Sequence, residues 1–222
     1  MSIFVIKIIA CISMCLDHVK YAIPETRGWE TMFLGRIAFP LYAFLAVEGY
    51  IHTSNVERYF KRLIIFALIS QIPFMLFRTL VGEWMMLNIM FTLLFGLLTI
   101  FVFDRLQKRY YLSIPIIVVL ICMGEFLNVD YGWFGVATVF LFYLCREHKF
   151  IRILAFLFLT SVFFYKKIFD YFSINNMILY LCMNIPTIIM LFYNGNLGKK
   201  TKYFYYWFYP VHMALLYVIS LI

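Results

Sequence analysis

The chain has 222 residues, of which 65% are hydrophobic and 14% are charged, and its mean hydropathy is +0.90. Soluble domains carry about 25% charged residues, so this composition excludes an ordinary soluble protein and predicts a chain that crosses a membrane several times. The formal charge of +8 does not indicate a nucleic-acid partner, because the basic residues are scattered between apolar segments. The five cysteines form no CxxC pair and no zinc-type Cys/His spacing, which predicts neither a disulfide framework nor a metal site.

Apolar segments separated by polar breaks predict about nine membrane-spanning helices, because roughly 20 apolar residues are needed to cross the hydrocarbon core of a bilayer. We therefore expect an all-α, polytopic helical bundle that forms one domain over residues 1–222. The predicted spans, in chain order, are 3–22, 31–52, 59–78, 85–104, 112–127, 130–145, 150–165, 174–193 and 204–221.

The basic residues between the segments predict the orientation of the chain. The loops after the second, fourth, sixth and eighth spans, together with the span ends beside them, hold 12 Lys and Arg residues, whereas the alternate loops and their flanking span ends hold 4. Because basic loops are retained in the cytoplasm, we expect a cytoplasmic N-terminus and an outside C-terminus. The expected location is the inner, cytoplasmic membrane of the cell, with the chain passing through the lipid bilayer several times.

The first span contains several ionisable residues, which is unusual inside a membrane. Lys7 and His18 lie eleven residues apart, and Asp17 directly precedes the histidine. Eleven residues make about three helical turns, so Lys7 and His18 share one face about 16 Å apart along the axis. Taken alone, Lys7 is explained by a side chain that extends to the lipid headgroups, and His18 by a packing contact between two helices. The combination favours chemistry, since intramembrane charges are costly.

The second span carries Arg36 in its outer half and Pro40 in its middle. Proline removes a backbone hydrogen bond, which predicts a kink that opens a cavity. Arg36 lies near the level of Asp17, where it either forms a structural bridge or holds a developing negative charge. Further polar candidates for substrate contact or structural hydrogen bonding are Glu48, Asn88 and Tyr131.

The last span, YFYYWFYPVHMALLYVIS, has Tyr205, Tyr209 and His212 at helical spacing on one stripe. A glycine-bearing basic loop, YNGNLGKKTK, precedes it and contains Lys199, Lys200 and Lys202. Such a loop either attracts the phosphates of a nucleotide or only signals the topology.

Six segments of the chain carry a family resemblance. In chain order they are KIIACISMCLDH, GRIAFPLYAFLAVEGYIHT, RLIIFALISQIPF, NIMFTLLFG, DYGWFGV and YNGNLGKKTKYFYYWFYPVHMALL. Together they resemble the TraX family, which looks like an N-acetylase of conjugative pilin, over nearly the whole chain. The related membrane acyltransferase-3 group has a basic residue, ten positions and a histidine in its first span. Lys7 and His18 match that spacing, with Lys where Arg is usual, which weakens bidentate contact with a phosphate.

The resemblance implies an integral membrane acetyltransferase with acetyl-CoA as its donor. The acetyl group would pass from the cytoplasm to an amine or hydroxyl of a pilin-like peptide or cell-envelope acceptor at or outside the membrane. A homo-oligomer is compatible with this reading. Two rival classes are a proton-coupled transporter or flippase and a structural membrane subunit. Transporters usually contain an internal repeat, and this sequence lacks one. A structural subunit has no need of so many charged residues inside the membrane, where each charge is energetically costly.

Acetyl transfer needs a base for the acceptor proton and donors for the oxyanion, which suggests a role for each polar residue. His18 is the expected general base, Asp17 its partner, and Arg36 an oxyanion donor or a clamp on Asp17. His212 either lines the acetyl passage or takes the acetyl group covalently in a relay, and the sequence does not decide between these. The residues expected to contact the donor are Lys7, Tyr209, Lys199, Lys200 and Lys202.

Overall fold

Helices make up 81% of the computed structural model, which describes residues 1–83, 85–169, 173–199 and 202–222. Within these ranges no β-strand occurs, so the all-α prediction is confirmed. The helices, in chain order, are α1 (Ile3–Ala22), α2 (Trp29–Leu34), α3 (Ala38–Ile51), α4 (Val56–Arg78), α5 (Ile89–Arg105), α6 (Tyr110–Phe126), α7 (Gly132–Leu144), α8 (Lys149–Phe169), α9 (Ile174–Leu191) and α10 (Lys202–Ile219).

The second predicted span is broken rather than simply kinked. Helix α2 passes into a 3₁₀ turn, Gly35–Ile37, which leads directly into α3. Pro40 has no N–H to donate to the carbonyl of Arg36 four residues earlier, so the regular α-helical ladder cannot continue through this point. The turn brings Gly35 against helix α1, which positions Arg36 beside the first span.

The fourth predicted span starts four residues later than expected, at Ile89. The side chain of Asn88 is the reason, because its oxygen accepts the N–H of Met90 at 3.0 Å and caps α5. The amide of Asn88 donates to the Ala67 carbonyl and to the side chain of Gln71, both on α4. Asn88 is completely buried, and in this position it ties the start of α5 to α4.

The outer surface of the bundle is that of a helical membrane protein. Within the described ranges, three stretches are long and apolar enough to cross a membrane by length and composition: Trp29–Ile51, Val56–Val81 and Ile174–Leu191. On α4 the side chains of Leu68 and Ile72 are 59% and 69% exposed. Apolar surface of this extent is unfavourable in water and is accommodated by lipid.

Contacts between distant parts of the sequence position the first and last helices together. Helix α1 packs against α3 and α10, and α10 packs along α4. Helix α5 contacts both α6 and α7, while α8 pairs with α9. The two helices that carry the histidines singled out in the sequence, α1 and α10, are therefore neighbours.

Candidate active site

His18 and His212 contact each other directly across the α1–α10 interface. Nδ1 of His18 lies 3.0 Å from Nε2 of His212, although 194 residues separate them in sequence. The rings are nearly parallel, with centroids 5.2 Å apart. Phe208 stacks on the other side of His212, and the edge of Phe77 meets His18, so aromatic side chains hold both rings in place.

The hydrogen bonds determine where the protons lie when both rings are neutral. Nδ1 of His212 is 2.8 Å from the carbonyl oxygen of Phe208, and because a carbonyl only accepts, Nδ1 carries the proton. Nε2 of His212 is then an acceptor, so Nδ1–H of His18 must donate to it. The remaining nitrogen, Nε2 of His18, holds a lone pair and has the protonation state of a general base.

Asp17 pairs with Lys20 rather than with His18, which differs from the predicted pair. Its carboxylate accepts a hydrogen bond from Lys20 at 2.7 Å, one turn further along α1. Consecutive residues on a helix point about 100° apart, so sequence neighbours do not face each other. The orienting partner of His18 is therefore His212, and Asp17 acts on the histidine only through its charge.

Arg36 joins Asp17 in an adjacent polar cluster. Its guanidinium lies within hydrogen-bonding reach of the Tyr131 hydroxyl and close enough to Asp17 for strong electrostatic attraction. The charge of Arg36 attracts that of Asp17, while the direct ion pair of Asp17 is with Lys20. Tyr131, the third member of this group, stacks on Phe39 with ring centroids 4.0 Å apart.

Arg78 and Asp130 extend this cluster, and neither was singled out from the sequence. Arg78 ends α4, pairs with Glu83, and lies near enough to His18 and Asp130 to affect their charges. Asp130 lies in the turn between α6 and α7, where its carbonyl accepts a hydrogen bond from the Thr92 hydroxyl. In the sequence Arg78 is one basic residue at the end of a predicted span. Its position near His18 on α1 becomes visible only in the folded structure.

A cavity lies next to the histidine pair, on the side towards Lys7. Its volume of about 390 Å³ is within the usual range of about 300–1,000 Å³ for small-molecule sites. Tyr209 and Met14 belong to its wall, and each precedes a histidine of the pair by about one helical turn. The residues of the wall that carry charge or were predicted to contact the donor are Lys7, Glu48, Arg62, Lys199 and Tyr209.

Three cations surround the end of this cavity opposite the histidines. Lys7 lies over the ring of Tyr205, 4.9 Å from its centroid, and Lys199 belongs to the loop before α10. Arg62, which the sequence indicated only as a topology charge, has a buried Nε that makes no hydrogen bond within the described residues. Lys200 lies outside the described residues, as does the side chain of Lys202.

Glu48 is the acidic group in the cavity wall. Its carboxylate accepts a hydrogen bond from the Tyr193 hydroxyl at 2.8 Å and lies 3.6 Å from Nδ1 of His52. Glu48 thus pairs with His52 one turn further along the chain and with Tyr193 on the segment after α9. These contacts connect the C-terminal end of α3 with the segment that leads to α10.

Comparisons with known proteins agree with the sequence resemblance. The model of the TraX family, described as TraX protein, matches residues 2–220. A probable fimbrial assembly protein FimC, serogroup H1, from Dichelobacter nodosus is 29% identical over 243 residues, covering 97% of this chain and 94% of that protein. No solved structure matches the chain. Because the family match covers nearly every residue, the chain belongs to the TraX family.

Proposed function

We propose that this protein is an integral membrane acetyltransferase that takes its acetyl group from acetyl-CoA. The observation that carries the proposal is the alignment of two features. A histidine with a free Nε2 lone pair lies about one helical turn beyond one end of a cavity, and three cations surround the other end. A base at one end and an anion site at the other are what transfer from a phosphate-bearing donor requires.

The cations at the cavity end suit the phosphates of CoA. Lys7, Arg62 and Lys199 all line the wall, and the buried Nε of Arg62 has no hydrogen bond within the described residues. A buried donor without a partner costs about 1–3 kcal/mol, which a phosphate oxygen would offset. His18 lies about 16 Å further along α1 than Lys7, a separation that an extended pantetheine arm spans.

His18 acts as the general base in direct transfer. Its Nε2 takes a proton from the acceptor amine while the amine nitrogen bonds to the thioester carbonyl carbon. Collapse of the tetrahedral intermediate breaks the C–S bond, and the proton on His18 passes to the departing sulfur, which leaves free CoA and an acetylated acceptor. His212 accepts from Nδ1–H of His18 throughout, which stabilises the imidazolium formed in the first step.

The contacts of His212 favour direct transfer over an acetyl relay. Its Nδ1 donates to the Phe208 carbonyl and its Nε2 accepts from His18. Neither nitrogen can bond to an acetyl group before one of these hydrogen bonds breaks. We therefore propose a positioning role for His212.

The proposed orientation follows from the charge pattern. With nine spans and a cytoplasmic N-terminus, the cavity end with Lys7 and Lys199 faces the cytoplasm, where acetyl-CoA is made. His18 and the cluster around Asp17 and Arg36 then lie in the outer half of the membrane. The donor would enter from inside, and the acceptor would approach from the membrane or from outside.

The proposed acceptor is the N-terminal amine of a pilin-like or fimbrial subunit. The relative from Dichelobacter nodosus bears the name of a probable fimbrial assembly protein, and the family resemblance points to pilin acetylation. An acceptor hydroxyl would use the same base and is the chemical alternative.

Purified protein in nanodiscs should transfer label from [¹⁴C]acetyl-CoA to a peptide with a free N-terminal amine. The same peptide with a blocked N-terminus is the control and should remain unlabelled, because it has no amine for His18 to deprotonate. Label on the blocked peptide at a serine would indicate O-acetylation. Absence of transfer, combined with proton-driven solute uptake in liposomes, would contradict the proposal and favour a transporter.

Removing one cation from the cavity end should weaken CoA binding. Lys7→Ala, Arg62→Ala and Lys199→Ala should each raise the Kd on the order of 10- to 100-fold, since a charge-assisted hydrogen bond contributes about 1.5–3 kcal/mol. Isothermal titration in nanodiscs measures the effect. Lys61→Ala is the matched control, because Lys61 is exposed and pairs with Glu57 on the outside of α4.

The same ligand tests the orientation. Inverted membrane vesicles, which expose the cytoplasmic face, should bind CoA, whereas right-side-out vesicles should not. Binding only to right-side-out vesicles would reverse the proposed topology. If Lys7→Ala, Arg62→Ala and Lys199→Ala all bound CoA with the affinity of the unaltered protein, the proposed donor site would be contradicted.

A further inference from the structure

Tyr209 has an unusual hydroxyl group. The residue is only 4% exposed, it lines the cavity, and its hydroxyl oxygen is buried without a hydrogen-bond partner within the described residues. Nearly all buried polar groups in proteins are hydrogen-bonded, because leaving a donor unpaired costs about 1–3 kcal/mol. An unpartnered hydroxyl at the wall of a ligand cavity is available to donate to a ligand.

The backbone amide of Ile89, the first residue of helix α5, lies beside the Tyr209 hydroxyl. The first N–H groups of a helix have no acceptor inside the helix and carry the positive end of its dipole. The side chain of Asn88 accepts the N–H of Met90 at 3.0 Å, whereas the N–H of Ile89 lies near the hydroxyl oxygen of Tyr209. Both Ile89 and Met90 line the cavity.

The ring of Tyr209 lies close to the histidine pair. The ring of Tyr209 is 5.6 Å from the ring of His212, which in turn contacts His18. A thioester carbonyl at the histidine end of the cavity would therefore have the base on one side and the Tyr209 hydroxyl within reach of its oxygen. Arg36, the alternative oxyanion donor, is instead engaged with Asp17 and Tyr131.

We propose that the Tyr209 hydroxyl and the Ile89 amide form the oxyanion site of this enzyme, an inference that rests on the proposed acetyl transfer. As the acceptor nitrogen bonds to the carbonyl carbon, the electron pair of the C=O π bond moves onto oxygen. The Tyr209 O–H and the Ile89 N–H donate hydrogen bonds to that oxygen. When the C–S bond breaks, the pair returns to reform the carbonyl. Donors fixed in a dry site stabilise the charge strongly.

Tyr209→Phe tests the hydroxyl with the ring left in place. It should lower kcat on the order of 10²–10³-fold, the usual cost of losing one oxyanion donor, with the Kd for CoA unchanged. Tyr143→Phe is the matched control, since it removes a buried tyrosine hydroxyl that donates to Asp104, away from the cavity. Its kcat should equal that of the unaltered protein.

Ile89→Pro tests the amide and remains informative if Tyr209→Phe fails to fold. Proline is well tolerated at the first position of a helix and removes only the N–H there, and Asn88 already has the extended backbone that precedes a proline. Ile89→Ala measures the loss of the side chain alone, and Ile89→Pro should lower kcat further than Ile89→Ala does.

The outcomes separate this inference from the proposed function. Transfer by the unaltered protein with an undiminished kcat in Tyr209→Phe would overturn the oxyanion site and leave the acetyltransferase proposal standing. Equal rates for Ile89→Pro and Ile89→Ala would remove the amide from the site. A complete lack of transfer by the unaltered protein would overturn both.

Discussion

His18→Ala should lower the rate of acetyl transfer by a factor on the order of 10²–10⁴, the usual contribution of a general base. The Kd for CoA should not change, because the predicted phosphate contacts lie about 16 Å away along α1. Single-turnover transfer to a peptide amine, measured alongside isothermal titration with CoA, separates the two quantities. His148→Ala, at an exposed position before α8, is the control for loss of a histidine.

His212→Ala distinguishes the two members of the pair. If His212 positions His18, the variant should lose less activity than His18→Ala, and its pH–rate profile should shift because the base has lost its hydrogen-bond acceptor. Abolished transfer in His212→Ala together with near-normal rates in His18→Ala would refute the assignment. A trapped acetyl group on His212 would then support the relay.

Gly35→Ala should destabilise the protein by about 1–3 kcal/mol, the typical cost of adding a methyl group to a closely packed interior. A Cβ at position 35 would lie 2.5 Å from Cβ and 2.7 Å from Cα of Asp17. Because one of these atoms is backbone, α1 and the 3₁₀ turn must separate, which pulls Arg36 away from Asp17. Thermal unfolding in detergent measures the loss.

Gly28→Ala is the control for the stability measurement. There the added Cβ would approach only the carboxyl group of Glu30, a flexible side chain that can move aside. The backbone φ of Gly28 is −94°, which alanine adopts without strain. An unfolding temperature of Gly35→Ala no lower than that of Gly28→Ala would show that α1 and the 3₁₀ turn are not closely packed.

Asp17 and His18 are adjacent in the sequence but have different partners in the structure. Adjacency to His18 in the sequence suggested a catalytic pair, whereas the helix directs the two side chains to different neighbours. Asp17 pairs with Lys20, and His18 with His212. The spacing of i and i+3 on a helix predicts the Asp17–Lys20 bridge, so this contact was available from the sequence.

Arg62 and Tyr209 illustrate what spacing alone cannot provide. Arg62 belongs to a run of basic residues that orients the chain, and nothing in that run distinguishes it from Arg58 or Lys61. The structure does so, because its Nε is buried at the cavity while Lys61 pairs with Glu57 at the surface. For Tyr209, the unpaired hydroxyl within the described residues and the neighbouring Ile89 amide follow from how α10 packs on α4, which also contacts α5.

The sequence by itself determined the membrane class, the all-helical fold and the family, because hydropathy, segment length and ordered motifs are properties of local stretches of chain. It also identified Lys7, His18, Tyr209 and His212 as residues of interest, since buried polar groups are conspicuous in apolar helices. Only the tertiary structure decided which of them meet. The contact between His18 and His212 joins residues 194 positions apart, and no periodicity encodes it, because it depends on α1 and α10 packing side by side.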